Sequence, residues 1–295
     1  MRLANARVTA GCIGLLLSIA GPLPAQKLSE SPVELVRRTV DQEVKAGGAN
    51  AKFMFLDRKE TARGSQTKLI AETEQGTAGM LIAVNDKPLT TEQQQEEQAR
   101  LDRLMNSPEE LQKKKKAERE DAERTTKIMN ALPEAFIFEP AGTEPGTASV
   151  GRPSVQLVRL NFRPNPRYTP PSRVEQVLTG MQGYLLLDAD AHRIAKIDGT
   201  LLREVSFGWG ILGHLDKGGR FLVEQADVGN NHWEVSRMLL RFTGKELLFK
   251  GLSIKSDEVC SNFRPVSPKL TFREAVDLLK KGQAEMADNR PVDPQ

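Results

Sequence analysis

Apolar residues recur at helical spacing near both ends of the chain. A Ser-Pro-Val-Glu sequence at residues 31–34 has the form of a capping box with proline in the first turn. It precedes a stripe of four valines, Val33, Val36, Val40 and Val44. This pattern predicts a helix that ends at Gly47 and Gly48. Another helix is predicted to begin at Thr271, where Glu274 completes the capping signal.

Between these helices, short apolar segments are separated by turn signals, which is typical of antiparallel strands. In the N-terminal half these segments lie at residues 53–56, 68–74, 79–84 and 155–162. The C-terminal half predicts a meander with a turn at Thr243 and Gly244 and strands at residues 183–187, 193–197, 201–207, 220–228, 232–242 and 245–254. The expected fold class is therefore α+β with a curved antiparallel sheet.

A charged insertion at about residues 91–132 interrupts the strands. Its capping signals predict two helices, at about residues 92–106 and 108–131. Four lysines at residues 113–116 are flanked by glutamates at helical spacing, which favours a solvated face with ion pairs over a basic binding patch. The Gly- and Pro-rich residues at about 139–171 are expected to serve as a connector.

The first 25 residues have the three-part order of a secretory signal peptide. Arg2 and Arg7 precede an apolar core at residues 13–20, and two prolines then lead to Ala25. The core is shorter than the ~20 apolar residues that span a bilayer. We expect a periplasmic or otherwise exported protein, cleaved near Ala25 and soluble afterwards. A lipoprotein acylated on Cys12 is disfavoured, because the apolar core follows this cysteine instead of preceding it.

The charge and cysteine content of the chain limit the kinds of partner and cross-link that it could have. Loss of Arg2 and Arg7 would lower the formal net charge from +3 to +1, so the mature chain has no overall charge that would favour nucleic acid. Cys260 would remain as the sole cysteine of the mature chain, which excludes an internal disulfide. No cofactor is expected.

Two motifs suggest enzyme chemistry but lack its context. Glycines 208, 210 and 213 have the spacing of a dinucleotide-binding fingerprint, yet Gly218 and Gly219 would end the helix that this motif requires. Asp188, Asp190 and His192 are spaced two residues apart, so on a strand they would lie on one face and could bind a metal. The residue types in this segment are, however, typical of a turn. We therefore expect no catalytic or metal site, and the metal-dependent hydrolase remains an alternative.

The densest group of apolar residues lies in the C-terminal half. Most of its members are expected to be core, and some could line a cavity for an acyl chain. The candidate cavity residues are Phe207, Trp209, Ile211, Leu212, Phe221, Val223, Trp233, Val235, Phe242 and Phe249.

The order of these parts resembles the periplasmic outer-membrane lipoprotein-sorting (LolA/LolB-like) superfamily, of which the chain would be a divergent member. The resemblance spans about residues 31–266 and is carried by the layout, with Gly183-Tyr184-Leu185-Leu186-Leu187-Asp188 followed by Arg193-Ile194-Ala195-Lys196-Ile197-Asp198-Gly199. It implies an open, incomplete β-barrel with helices packed on its concave face. It also implies a carrier or sensor that sequesters an acyl chain without covalent chemistry.

We thus expect a signal peptide at residues 1–25, a single domain at 26–282 and a flexible tail at 283–295. The expected function is non-enzymatic binding of a lipid or an acylated protein, with transient membrane contact and an envelope protein partner both compatible with it. The main alternative is a structural or interaction module of the cell envelope whose core is filled.

Overall fold

The computed structural model describes residues 30–47, 51–208, 212–246 and 250–288. The predicted signal peptide and residues 289–295 of the predicted tail lie outside the described residues. The helices are α1 (Pro32–Gly47), α2 (Thr91–Met105), α3 (Pro108–Ala135), α4 (Arg173–Gln176) and α5 (Phe272–Asp288), with a 3-10 turn at Val177–Gly180. None of these helices combines the length and hydropathy needed to cross a membrane.

The strands follow one another along the chain, with α2 and α3 between the fourth and the fifth. They are β1 (Lys52–Thr61), β2 (Gly64–Ala71), β3 (Ala78–Val84), β4 (Lys87–Pro88), β5 (Phe136–Pro145), β6 (Gln156–Pro164), β7 (Met181–Asp188), β8 (Arg193–Leu201), β9 (Val205–Phe207), β10 (Gly213–Leu215), β11 (Arg220–Asp227), β12 (Trp233–Glu246) and β13 (Lys250–Val266). Residues 139–145, expected to be part of a connector, instead continue β5.

These strands form one antiparallel sheet in the order β4-β3-β2-β1-β13-β12-β11-β8-β7-β6-β5, with β10 joining β12 and β9 pairing with β10. In the described part of the chain β4 and β5 are the two edges, so the sheet is open. The prediction of an α+β fold with an open antiparallel sheet is confirmed.

The predicted turn at Thr243 and Gly244 is wrong, because β12 continues to Glu246. Gly244 faces β10, and a Cβ at this position would lie 2.0 Å from the carbonyl oxygen of His214. The glycine therefore permits close approach of a neighbouring strand, which is the other common reason for glycine within a strand. β13 also runs on to Val266, well beyond the predicted end near residue 254.

Two apolar clusters hold helices against the sheet. Leu35, Val36 and Val40 of α1 join the C-terminal part of α3 and apolar side chains of β5–β8 in the larger cluster. α2 and α5 pack in a second cluster against Met54, Leu69 and Met80, from strands β1–β3. The helices α1 and α3 therefore cover one region of the sheet, while α2 and α5 cover another.

The charged insertion forms the two expected helices with small differences in their ends. Thr90, rather than Thr91, caps α2 in a capping box with Gln93, and Ser107 caps α3. α3 carries ion pairs such as Lys114–Glu118 at 2.5 Å. Glu118 also accepts hydrogen bonds from the backbone amide of Thr77, which ties α3 to the loop between β2 and β3.

Candidate functional site

A cavity of about 870 Å³ lies between the sheet and the helices α3 and α4. Its walls come from β1, β2, β5–β9 and β10–β13 on the sheet side and from α3, α4 and the 3-10 turn on the other. This volume lies in the range of small-molecule pockets, roughly 300–1,000 Å³.

Strand register explains why apolar side chains line the sheet wall. Phe221 is paired with Leu240, and Val223 with Met238, so each pair lies on one face of the β11–β12 ladder. Helical side chains complete the opposite wall. The apolar lining includes Phe55, Ile128, Met129, Leu132, Val174, Val177, Phe207, Phe221, Val223, Val235, Met238, Leu240, Phe242, Ile254 and Phe263.

Some of these side chains face open space and are not packed as core. Val235 is 38% exposed and Ile254 is 39% exposed, although both line the cavity. Phe221 and Val223 are half-buried. A filled core would leave apolar side chains at such positions much less exposed.

Carboxyl groups lie on one part of the cavity wall. Asp57 on β1 is paired in register with Cys260 on β13, and Glu258 lies two residues before that cysteine. The ligand atoms of Asp57, Glu258 and Cys260 all lie within 4.8 Å of one another. Glu234 on β12 also lines the cavity.

Burial raises the pKa values of Asp57, Glu234 and Cys260. It raises the pKa of Asp57 to about 6, and the nearby Glu258 carboxylate adds to this rise. It likewise raises the pKa of Glu234 to about 7, with a smaller contribution from Glu72. Burial and the surrounding carboxylates raise the pKa of the Cys260 thiol to about 12, which keeps it protonated and a poor nucleophile.

The carboxylates differ in their partners. Lys59 Nζ lies 2.8 Å from Glu258 Oε2. Asp57 Oδ1 is buried and has no hydrogen-bond partner. Glu234 makes no hydrogen bond or ion pair with any residue that the structure describes. Buried polar atoms are normally paired, so unpartnered carboxyl oxygens beside a cavity are unusual.

The structure brings together only part of the sequence-predicted set. Phe207, Phe221, Val223, Val235 and Phe242 all line the cavity. Three other candidates, Trp209, Ile211 and Phe249, lie outside the described residues.

Leu212 and Trp233 do not line the cavity. The Leu212 side chain lies against Gly208, and a Cβ atom added at position 208 would be 2.3 Å from Leu212 Cδ1. Trp233 packs with Leu157, Leu186 and Ala195 in a separate cluster, termed here the Trp233 cluster. Trp233 lies on the same side of the β-bulge as Val235 and two residues from it, so counting residues does not separate the two; the packing of Trp233 against β6, β7 and β8 does.

Sequence reasoning missed the helical wall and the acidic part of the cavity. The apolar residues Ile128, Met129 and Leu132 near the end of α3 were a visible signal for the wall. No comparable signal marked Asp57, Glu234 and Glu258, because they come from three strands and meet only through the sheet order.

The two enzyme motifs are not assembled into sites. Asp188 is fully buried and accepts hydrogen bonds from Arg152 Nε (2.6 Å) and Nη2 (2.8 Å) and from the Ala191 amide (2.9 Å). It does not join Asp190 and His192 in any candidate metal group of the described residues. Gly210 lies outside the described residues, and β10, which begins at Gly213 and pairs with β9, is a strand where the fingerprint requires a helix.

No family model and no curated protein matches the chain. Among solved structures, it is similar to a chain from Vibrio parahaemolyticus described as a "putative outer membrane lipoprotein-sorting protein domain". The two share 12% sequence identity, and the match covers 82% of this chain and 97% of the other, with a TM-score of 0.31. Nothing about the ligand of this chain follows from a similarity this distant.

Proposed function

We propose that this protein is an exported, non-enzymatic carrier or sensor that binds the acyl chain of a lipid or lipoprotein in its cavity. The supporting observation is the 870 Å³ space between sheet and helices, with aliphatic and aromatic side chains on both walls. Binding would bury apolar surface of chain and protein together, at ~25 cal/mol per Å².

The exposure of the lining favours a binding cavity over the filled core of a structural module. Val235 and Ile254 are more than a third exposed at a place where packed side chains would increase stability. Such exposure is a cost to the free protein that a bound apolar chain removes. Entry of a long chain would require α3 or α4 to move, because these helices form the outer wall.

Covalent chemistry has less support. The metal-dependent hydrolase alternative needs Asp188 as a ligand, but both oxygens of this carboxylate are bonded to Arg152. The Cys260 thiol has a raised pKa of about 12, which disfavours a thiolate nucleophile. Sequestration of an apolar chain needs neither group.

The test uses the full chain produced with its own leader and purified from an exported fraction. Native mass spectrometry followed by organic extraction would detect a co-purifying lipid or acylated peptide. Titration with dodecanol, read by displacement of the neutral dye N-phenyl-1-naphthylamine, would measure affinity for a plain chain. We expect Val235→Trp to fill the cavity and weaken dodecanol binding at least tenfold.

Val259→Trp is the matched control. Val259 is 39% exposed, close to the 38% of Val235, and pairs with Arg237 and Arg58 outside the cavity lining. It should bind dodecanol as the unmodified protein does. An unmodified protein that binds neither lipid nor dodecanol would overturn the proposal in favour of the structural module, and equal weakening in both variants would show that the cavity is not the binding site.

A further inference from the structure

The acidic part of the cavity wall has a chemistry that a plain acyl chain does not need. Asp57, Glu234 and Glu258 lie at the same cavity as the apolar lining. A carboxylate beside an apolar chain would lose hydration without gaining a partner, which is unfavourable. Their presence suggests that part of the ligand compensates them.

The protein supplies only part of that compensation. Lys59 is paired with Glu258, and Lys68 lies opposite Asp57 in the β1–β2 register, where its charge acts without a hydrogen bond. Even so, Asp57 Oδ1 is buried without a partner. Among the described lining residues the only basic one is Arg173, which is exposed on α4.

The negative charge of Glu234 is also only partly balanced by nearby positive charges. The charged groups that act on it are Glu72, which disfavours its ionised form, and Arg193 and Lys52, which favour it. Arg193 is already held by Glu43 through two hydrogen bonds of 3.0 and 2.9 Å. The charge of Lys52 acts on Glu234 without a hydrogen bond, so Glu234 lines the cavity without an ion pair to any described residue.

We infer that the cavity selects an amphiphile with a basic head group, whose amine or ammonium is held by Asp57, Glu234 and Glu258 while its chain follows the apolar lining. This inference rests on the proposed function and deepens it by naming the head-group chemistry. A protonated amine would donate charge-assisted hydrogen bonds to these oxygens, which are stronger than neutral ones. An anionic head group in the same place would be repelled.

The same arrangement predicts how pH acts on binding. A primary alkylamine stays protonated between pH 5 and pH 8, while carboxyls with pKa values of about 6 and 7 lose their protons across this range. Amine affinity should therefore rise as pH rises, and dodecanol affinity should not follow it. The other charged groups that act on these carboxyls are Glu72, Lys52, Lys59, Lys68, Arg193 and Glu258, and burial raises the pKa of Glu72 as well.

The experiment compares three ligands with the same twelve-carbon chain, each below its micellar concentration. Dodecylamine, dodecanol and laurate compete with N-phenyl-1-naphthylamine on the full chain at pH 7.5. We expect dodecylamine to bind at least tenfold more tightly than dodecanol, and laurate to bind more weakly than either. Butylamine, which has the head group without the long chain, should not compete.

Variants then test which carboxyls select the head group. In Asp57→Asn/Glu234→Gln, the amine-to-alcohol affinity ratio should fall to within about threefold. Glu258→Gln should lower the same ratio, which provides a second measurement if the double variant does not fold. Asp257→Asn is the matched control, because Asp257 is adjacent in sequence but is held by Arg237 at 2.8–2.9 Å outside the cavity lining. It should keep the ratio of the unmodified protein.

The outcomes separate this inference from the proposed function. Equal affinity for the three ligands, or a preference for laurate, would overturn the basic head group and leave an acyl-chain carrier standing. Binding of none of them would overturn both. A preference for the amine that persists in the double variant and in Glu258→Gln would show that other groups hold the head group, which also contradicts the inference.

Discussion

The Trp233 cluster and the cavity are built from neighbouring residues of the same sheet, yet one is closed and the other open. Trp233 is 6% exposed and packs against Leu157, Leu186 and Ala195. Val235, two residues further along β12, is 38% exposed and lines the cavity. The comparison teaches that one strand, β12, contributes both to a tightly packed cluster and to an open cavity within two residues.

The carboxylates near the Trp233 cluster and those at the cavity also differ, in this case in their hydrogen-bond partners. Asp188, close to the Trp233 cluster, is bonded to Arg152, and Glu43 is bonded to Arg193 and to the Ile194 amide at 2.7 Å. Asp57 Oδ1, at the cavity, is buried with no such partner in the described part of the chain, and the half-buried Glu234 is bonded to no described residue. The carboxylates near the Trp233 cluster are therefore neutralised within the fold, whereas Asp57 Oδ1 at the cavity is not hydrogen-bonded.

The largest expected effect is the removal of the Trp233 side chain. Trp233→Ala should lower the free energy of unfolding by about 3–5 kcal/mol, because it leaves a cavity in a closed cluster. Phe221→Ala removes a comparable ring from the open lining, and should cost only about 1–2 kcal/mol since this ring is half-buried. Urea unfolding followed by circular dichroism would measure both.

Equal destabilisation by these two variants would break the comparison, because it would mean that the cavity lining is packed as core. In dodecanol binding, the order of the two variants should be reversed. Phe221→Ala should weaken dodecanol binding, whereas a folded Trp233→Ala protein should bind with little change.

A smaller effect is expected from the paired carboxylate of α1. Glu43→Gln should lower the free energy of unfolding by about 3 kcal/mol, because it leaves the buried Arg193 guanidinium without its counter-charge.

Glu234→Gln should raise the free energy of unfolding at pH 8, since burial disfavours the ionised form of Glu234.

The matched control for Glu43→Gln is Glu34→Gln on the same helix. Glu34 is 51% exposed, and its loss should leave stability nearly unchanged. If Glu43→Gln were as mild as Glu34→Gln, the Glu43–Arg193 pair would have no structural role. Destabilisation by Glu234→Gln at pH 8 would imply a partner for Glu234.

The smallest expected effect is the pH dependence of stability that the cavity carboxyls cause. Their pKa values are higher in the folded chain than the ordinary 3.8 of Asp57 and 4.5 of Glu234, so the folded state holds more protons between about pH 4 and 7. Stability contributed by these groups is therefore present at low pH and lost as pH rises through this window. Because Asp57 and Glu234 are only partly buried, solvent screening reduces this effect, and we expect Asp57→Asn/Glu234→Gln to gain roughly 1–3 kcal/mol relative to the unmodified protein between pH 4 and pH 8.

Urea unfolding at pH 4, 6 and 8 would check this difference. Parallel pH profiles for the two proteins would show that neither carboxyl has a raised pKa. Asp257→Asn should lose stability towards high pH instead, because Arg237 lowers the pKa of Asp257 and the ionised form is the one that is stabilised.

Local patterns were sufficient for most of the elements. The capping box at residues 31–34 predicted α1, which begins at Pro32, and the signals at Ser107 and Thr271 predicted α3 and α5. Alternation and turn composition predicted β7, β8 and β11 to within a few residues. Gly244 was misread, because a glycine that admits another backbone has the same local signature as a glycine in a turn.

The sequence by itself determined the helices, most strands and an antiparallel α+β class, because capping, periodicity and turn chemistry depend on residues within a few positions of one another. The position of Trp233 and the meeting of Asp57, Glu234 and Glu258 were decided only by the tertiary structure. Trp233 packs against residues of β6, β7 and β8, and strand order determines which strands become neighbours. Both depend on long-range pairing, which is not encoded in any short stretch of the chain.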